Sequence, residues 1–329
     1  MAKISIIGAG SWGTALARLL AVNGHDVVMW SIVEDEIRML QENHEHLTKL
    51  SGVKLPDDIV FTTDMECAVK GKDILVLAVP SPYTRSTSRT MAPYVSEGQI
   101  IVSVAKGIEE STLKVLADVI KEEIPQADVA VLCGPSHAEE VGRGIPTTVV
   151  AGAKTRKTAE YIQNVFMNKV FRVYTSPDMM GMELGGALKN VIALAAGIAD
   201  GLGCGDNTKA ALITRGIAEM SHIETFNGLT GIGDLIVTCA SRHSRNRKAG
   251  YLIGQGKTMQ EAMDEVKMVV EGVYSAKAAK ILAEKYHIDM PIVEEVNQVL
   301  FEGKSAKEAM TDLMLRDKKI EHPELPWEA

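Results

Sequence analysis

The chain has 329 residues, with 43 Asp and Glu against 35 Lys and Arg, and a formal net charge of −8. At about 150 residues per domain this length suggests roughly two domains, large enough to bury a core without disulfides. Hydrophobic residues at 46% and charged residues at 24% exclude wholesale disorder and collagen-like repeats, and the acidic balance argues against a nucleic-acid partner, which calls for a basic surface. Only 5% of residues are aromatic, whereas Gly numbers 28 and Met 16, a composition suited to close-packed helices and tight turns.

The N-terminus runs directly into a strand-like segment, so no secretory signal is expected. Cys67, Cys133, Cys204 and Cys239 lie far apart without a C-x-x-C pair, as expected of reduced thiols in a cytoplasmic protein. His44 and His46 are two residues apart, which on a helix points them to different faces, and no metal site is expected.

Along the first half, short apolar runs alternate with helical patterns. Strands are expected at Ile4–Ile7, Val27–Trp30, Ile74–Val79, Ile100–Val104, Val129–Cys133, Thr147–Ala151 and Phe171–Tyr174, with helices including Thr14–Asn23 and Thr112–Glu123 between them. Continuous apolar strands separated by helices predict a mostly parallel sheet covered on both faces. From about Met179 the strand signals stop and helical periodicity takes over. The expected organisation is an α/β domain over residues 1–178 and an all-helical domain over 179–329. The most apolar stretch, Leu184–Leu202, is interrupted by Lys189, Asn190 and Asp200, so it reads as a buried helix and not a membrane span. Thr258 and Ser305 are each followed three residues later by Glu, a capping box that opens a helix. Both sites follow Gly-Lys, but a phosphate-binding P-loop would need Gly where Tyr251 and Gln298 stand.

Gly8-Ala9-Gly10-Ser11-Trp12-Gly13 has the G-x-G-x-x-G spacing, directly after one strand and at the start of a helix that leads to a second strand. In that context the motif predicts a dinucleotide site. The first Gly allows the turn, the second lets a pyrophosphate approach, the third lets helix and strand pack, and the helix N-terminus attracts the phosphates. The second strand ends in Trp30-Ser31-Ile32-Val33-Glu34-Asp35, with no basic residue before Arg38. Glu34 or Asp35 would repel a 2′-phosphate, which leans the choice toward NAD over NADP, although both carboxylates could equally be a solvated helix start.

Lys106 follows an apolar strand, at the sheet edge where open α/β folds bind ligands. Lys189 lies in an apolar helix beside Asn190 and after Gly185-Gly186, where it either snorkels outward or points into a site. Gly134-Pro135-Ser136-His137-Ala138 follows a strand and only loosely echoes a nucleophile elbow; a ligand-facing loop is the better reading. Gly231-Ile232-Gly233-Asp234 reads as a turn presenting a carboxylate, and the cationic run Ser241–Lys248 as a local anion site.

Taken in order, Gly8–Gly13, Ser103–Ile108, Gly134–Ser136, Glu183–Asn190, Gly231–Leu235, Ser244–Asn246 and Val270–Gly272 make the chain resemble the bacterial NAD(P)-dependent glycerol-3-phosphate dehydrogenases over essentially its whole length. The resemblance implies an α/β Rossmann-type N-terminal domain with a predominantly parallel sheet, followed by an all-α C-terminal domain, with the active site between them in a homodimer. It implies that Gly8, Gly10, Ser11, Trp12, Gly13, Lys106, Ala138, Arg245, Val269 and Glu271 contact NAD or NADP. Lys106, Gly134, Ser136, Lys189, Asp234, Ser244, Arg245 and Asn246 would hold dihydroxyacetone phosphate or glycerol 3-phosphate. Lys189 would transfer the proton, with Lys106 and Asp234 as its catalytic neighbours, in an enzyme serving glycerophospholipid synthesis. Ile32-Val33 departs from relatives that carry a basic residue or His there. Two rivals share much of this pattern: a dehydrogenase of the same plan acting on another hydroxy acid, and a non-catalytic NAD sensor, which would have no need of Lys106, Lys189 and Asp234.

Overall fold

The computed structural model describes residues 1–318. Eight strands, β1 (Lys3–Ile7), β2 (Asp26–Trp30), β3 (Val60–Thr62), β4 (Ile74–Leu77), β5 (Ile100–Ser103), β6 (Asp128–Cys133), β7 (Thr147–Ala153) and β8 (Phe171–Ser176), form one sheet in the order β3-β2-β1-β4-β5-β6-β7-β8. All neighbours are parallel except β6 and β7. Around and between the strands lie α1 (Ser11–Val22), α2 (Glu34–Asn43), α3 (Met65–Val69), α4 (Thr84–Met91), α5 (Leu116–Glu123), α6 (Ala138–Gly142) and α7 (Arg156–Phe166). The helical half holds α8 (Met179–Gly201), α9 (Gly205–Met220), α10 (Asp234–Ala240), α11 (Arg245–Gly254), α12 (Met259–Val266), α13 (Glu271–Tyr286), α14 (Pro291–Phe301) and α15 (Ala306–Leu315). Residues 319–329 of the expected helical domain lie outside the described residues.

The apolar runs form strands because both sheet faces are covered: Ile4, Ile6, Val76 and Val102 belong to one buried cluster, and Ile7, Leu75, Leu77 and Ile101 to another on the opposite face. The register aligns Ile7 with both Trp30 and Leu77, and Leu77 with Ser103. The carboxyl ends of the four strands β2, β1, β4 and β5 thus share one edge, where the ligand-binding crevice of such sheets forms.

Three local expectations change. Strand β3 was not anticipated; it has three residues, of which only Phe61 is buried. Helix α5 begins at Leu116 and not near Thr112, because Ile108 and Val115 pair antiparallel and Leu113 takes a left-handed φ of 60°. Asp234 is not on a turn: a π-helical segment, Leu229–Gly233, leads into α10, whose first residue it is. Both expected capping boxes are present, Thr258 with Glu261 and Ser305 with Glu308.

Helix α8 is the axis of the helical half. It is long and apolar enough to cross a membrane by length and composition, but 94% of its most apolar window is buried inside the protein. Small residues let α11 approach closely. A Cβ on Gly197 would stand 2.1 Å from the Arg247 carbonyl oxygen, one on Gly250 2.1 Å from that of Leu194, and one on Gly254 2.3 Å from that of Ile198.

Candidate active site

The glycine loop after β1 divides its labour as the spacing requires. Gly8 has φ +118°, and a Cβ there would lie 2.9 Å from the carbonyl carbon of Ala78. A Cβ on Gly13 would meet the Gly8 carbonyl oxygen at 2.1 Å, so this glycine is set by helix–strand packing. A Cβ on Gly10 would meet nothing within 4 Å. The fold itself does not need a glycine at that position, whereas a closely approaching ligand does. Gly10 is also the N-cap of α1 and offers no side-chain cap, so the N–H groups of Ser11, Trp12 and Gly13 are left for an anion. Ser11 is buried and Trp12 half-buried. The residues present therefore fit a dinucleotide pyrophosphate.

Beyond β5, the loop carrying Lys106 faces the loop after β6. Lys106 Nζ donates to the Gly134 carbonyl at 2.9 Å and lies 3.4 Å from Ser136 Oγ. Gly134 has φ +144°, with Val149 so close that a Cβ would stand 3.0 Å from its Cα. Helix α8 passes directly over these loops because Gly186 has no side chain; a Cβ there would be 3.1 Å from Cys133 Sγ and 3.6 Å from Lys106 Cγ. The passage brings Lys189 to Asp234. The two Asp234 oxygens accept from different lysines, Oδ2 from Lys106 at 2.6 Å and Oδ1 from Lys189 at 2.9 Å. Lys189 also donates to Thr238 Oγ1 at 2.6 Å, and the Thr238 hydroxyl donates to the Asp234 carbonyl, one helical turn back, at 2.6 Å. Lys189 and Asp234 are 4% and 1% exposed. Two lysines and one carboxylate therefore share a site in which Lys106 alone keeps partial exposure. Burial pushes Lys189 down to about 8, helped by Lys106 and opposed by Asp234. Burial works to raise Asp234, but the two lysines outweigh it and hold the carboxyl below its usual range. Burial likewise opposes the charge on Lys106, and Asp234 more than restores it.

The cationic run around α11 is split by the fold. Arg247 Nε pairs with Asp200 on α8 at 2.7 Å, and Lys209 joins the same carboxylate at 2.6 Å. Arg242 and Lys248 are exposed. Arg245, the first residue of α11, is half-buried and makes no ion pair among the described residues. Ser244 is the N-cap and accepts from the Arg247 N–H at 3.1 Å. Asn246 is buried between helices: its amide donates to Asn190 Oδ1 at 2.9 Å and accepts from the Gly272 N–H at 2.8 Å. Glu271, one residue before, reaches across to the sheet domain, accepting from the Ser81 N–H at 3.1 Å and from the Ser81 hydroxyl. Burial raises its pKa. Val269 lies half-buried just before α13, and Ala138 opens α6, which packs on α1.

Two residues at this site escape a reading of the sequence. Thr238 carried one signal, its position four residues after Asp234, which on a helix shares a face. Ser81 lies past the carboxyl end of β4, but nothing local announces a partner 190 residues away. Among the described residues no group of His, Cys, Asp and Glu is arranged to hold a metal ion.

A mostly parallel sheet with a glycine loop at its carboxyl edge, closed by a helical domain bearing a buried lysine, defines the class of two-domain dinucleotide-dependent dehydrogenases. The sequence matches the N-terminal part of the NAD-dependent glycerol-3-phosphate dehydrogenases over residues 3–159 and their C-terminal part over 178–311, and the chain belongs to that family. It is 72% identical to the glycerol-3-phosphate dehydrogenase [NAD(P)+] of Agathobacter rectalis, over 99% of this chain and 100% of the relative. It is 60% identical to the corresponding protein of Fusobacterium nucleatum, over 98% and 99%. The crystal structure of glycerol-3-phosphate dehydrogenase from Coxiella burnetii superposes with a TM-score of 0.92 at 34% identity, covering 96% of this chain and 99% of that one.

Proposed function

We propose that the chain reduces dihydroxyacetone phosphate to glycerol 3-phosphate, reversibly, as an NAD(P)-dependent oxidoreductase. The observation that carries this is the Asp234 carboxylate held between Lys106 and Lys189, in a chain whose glycine loop leaves open space over Gly10. The bound nicotinamide supplies or accepts the hydride. The chain supplies everything else. Gly8, Gly10, Ser11, Trp12 and Gly13 hold the dinucleotide, with Lys106, Ala138, Arg245, Val269 and Glu271 completing its enclosure. Lys106, Gly134, Ser136, Lys189, Asp234, Ser244, Arg245 and Asn246 form the substrate pocket, in which the unpaired Arg245 guanidinium and the start of α11 take the phosphate. Asn246 contributes by fixing Asn190 and the start of α13. During reduction the ketone oxygen gains negative charge. Lys189 stabilises that charge and passes its proton to the oxygen; in the reverse direction the neutral amine takes the proton back. A pKa of about 8 suits both directions near neutral pH.

The proposed division of labour assigns residues 1–178 to the dinucleotide-binding domain and 179–329 to the substrate-binding domain. A cytoplasmic homodimer feeding glycerophospholipid synthesis fits this product and the family. Mixing the protein with dihydroxyacetone phosphate and NADH or NADPH tests the activity by loss of nicotinamide absorbance. Glycerol must be a far poorer substrate than glycerol 3-phosphate if the pocket grips a phosphate. Lys189→Ala is expected to lower kcat by roughly 10²–10⁴-fold with dinucleotide binding retained. Near-normal turnover of that variant would remove Lys189 from its role.

A further inference from the structure

At the β7–β8 end of the sheet lies a cavity of about 590 Å³ that the catalytic chemistry leaves unused. That volume is in the range of small-molecule sites. One wall is the sheet itself. Val150 aligns with Tyr174 and Gly152 with Ser176, so Thr148, Val150, Tyr174 and Ser176 face the same side. Gly152 leaves a gap in that face, which Met182 of α8 fills; a Cβ on Gly152 would stand 2.6 Å from its Sδ. The opposite wall holds Thr225, Leu229 and Thr230, the last two within the π-helical segment that runs into Asp234.

Among the described residues no charged side chain lines this cavity. Two of its hydroxyl groups are committed: Thr225 donates to the Asp178 carboxylate, and Ser176 Oγ accepts from the Asp178 N–H at 3.1 Å. The hydroxyls of Thr148, Tyr174, Thr175 and Thr230 make no hydrogen bond among the described residues. The Arg172 guanidinium stands over the Tyr174 ring at 5.1 Å, outside the lining. Val150, Met182 and Leu229 supply an apolar floor. Free hydroxyls around an apolar floor suit a sugar or a linear polyol, whose hydroxyls donate and accept at the edges while its C–H faces stay apolar. A phosphate or carboxylate would find no cation among the lining side chains to offset its desolvation.

The walls are also the segments that enter the two catalytic helices. Asp178, which takes the Thr225 hydroxyl, is the N-cap of α8, the helix of Lys189. A Cβ on Gly181 would stand 2.1 Å from Thr225 Oγ1, and one on Gly185 3.1 Å from the Thr230 carbonyl oxygen. Contacts this close transmit displacement, because a packed interface has no slack to absorb it. The π-helical segment ends at Gly233, and Asp234 is the next residue. A molecule seated against Leu229 and Thr230 therefore braces the segment that presents Asp234 to its two lysines.

We infer that this cavity is an effector site for a small uncharged sugar or polyol, and that its occupation strengthens the Lys106–Asp234–Lys189 arrangement. Binding is measured on the full chain without substrate or dinucleotide, so its outcome does not depend on the reaction proposed above. The probes are erythritol, sorbitol, glucose and trehalose, followed by titration calorimetry and by thermal unfolding. At least one is expected to bind saturably, with half-saturation at about 1 mM, the strength of a few neutral hydrogen bonds. Tyr174→Ala removes a hydroxyl and a wall at an exposed position, and Thr148→Trp fills the space. Both variants are expected to keep the Tm of the ligand-free protein within about 2 °C and to lose the saturable binding. In steady-state kinetics the saturating probe is expected to raise kcat/KM for dihydroxyacetone phosphate by about fivefold in the parent and in neither variant. No saturable binding of any probe would overturn the site. So would a Tm that climbs linearly with concentration and equally in all three proteins, which is the behaviour of an excluded osmolyte. Saturable binding with kcat/KM unchanged or lowered would overturn the coupling to Asp234.

Discussion

Glu183 offers a stability measurement whose sign and size follow from its surroundings. The residue sits near the start of α8 and is 4% exposed; Oε1 accepts from the Ala117 N–H at 2.9 Å, capping α5, while Oε2 has no hydrogen-bond partner among the described residues. Burial pushes the carboxyl from 4.5 up to about 8, with nearby Asp118 adding to the shift and the N–H groups of Ala117 and Leu116 opposing it. The folded protein therefore keeps the proton at neutral pH, whereas the unfolded chain releases it above about pH 4.5. Stability is lost as pH rises from the unfolded value to the folded one, with a ceiling of roughly 5 kcal/mol. Local relaxation and water entry reduce that to roughly half. Glu183→Gln keeps the acceptor for Ala117 and cannot ionise. The Tm of this variant minus that of the parent is expected to climb by about 5–10 °C between pH 5 and pH 8.5, taking ~2–4 °C per kcal/mol. Differential scanning calorimetry of both proteins over that range isolates the effect, because every other titrating group cancels in the difference. A difference that stays flat or falls with pH would refute the reasoning. Any constant offset from the amide in place of Oε2 is irrelevant to the slope.

Other outcomes follow from the site. Gly10→Ala is expected to leave the Tm of the ligand-free protein within about 1 °C, since its Cβ meets nothing, and to weaken dinucleotide binding by at least about tenfold in a titration. Arg245→Ala is expected to raise KM for dihydroxyacetone phosphate by about 10–100-fold through loss of a charge-assisted contact; an unchanged KM in steady-state kinetics would take the phosphate away from Arg245. In the oxidation direction Lys189 must be neutral to accept a proton, so kcat/KM for glycerol 3-phosphate is expected to rise through an inflection near about 8, while the reduction rate falls over the same range. A pH profile without an inflection in that window would separate the base from Lys189.

What was legible in the sequence followed physical rules that act locally. The parallel strands announced themselves because a strand covered on both faces must be apolar throughout, as in Ile74–Leu77. Strand β3 carries one buried residue and no such run. The late start of α5 depends on a left-handed Leu113, which no propensity favours. Lys106, Lys189 and Asp234 stood out singly, one after a strand, one within an apolar helix and one after glycines, and the structure brings both lysines within hydrogen-bond distance of Asp234. Their mutual arrangement was not legible, because it depends on α8 crossing the sheet edge over Gly186. The run Ser241–Lys248 looked like one anion site, but Asp200, over forty residues earlier, claims Arg247 and leaves Arg245. Partners distant in sequence, such as Ser81 for Glu271, have no local signature at all.

The close approach of α8 and α11 has a mechanical consequence. Where two helices touch through side chains, rotamers absorb small displacements. Here backbone meets backbone at Gly197, Gly250 and Gly254, and no side chain is left to yield. Lys189 on one helix and Arg245 on the other are then two points of a single stiff body, like the fixed jaw of a calliper. In the mechanism proposed above, the separation of proton donor and phosphate anchor is set by this one body. The helical half meets the sheet domain differently at Ser81 and Glu271, through a side-chain contact in place of a backbone one.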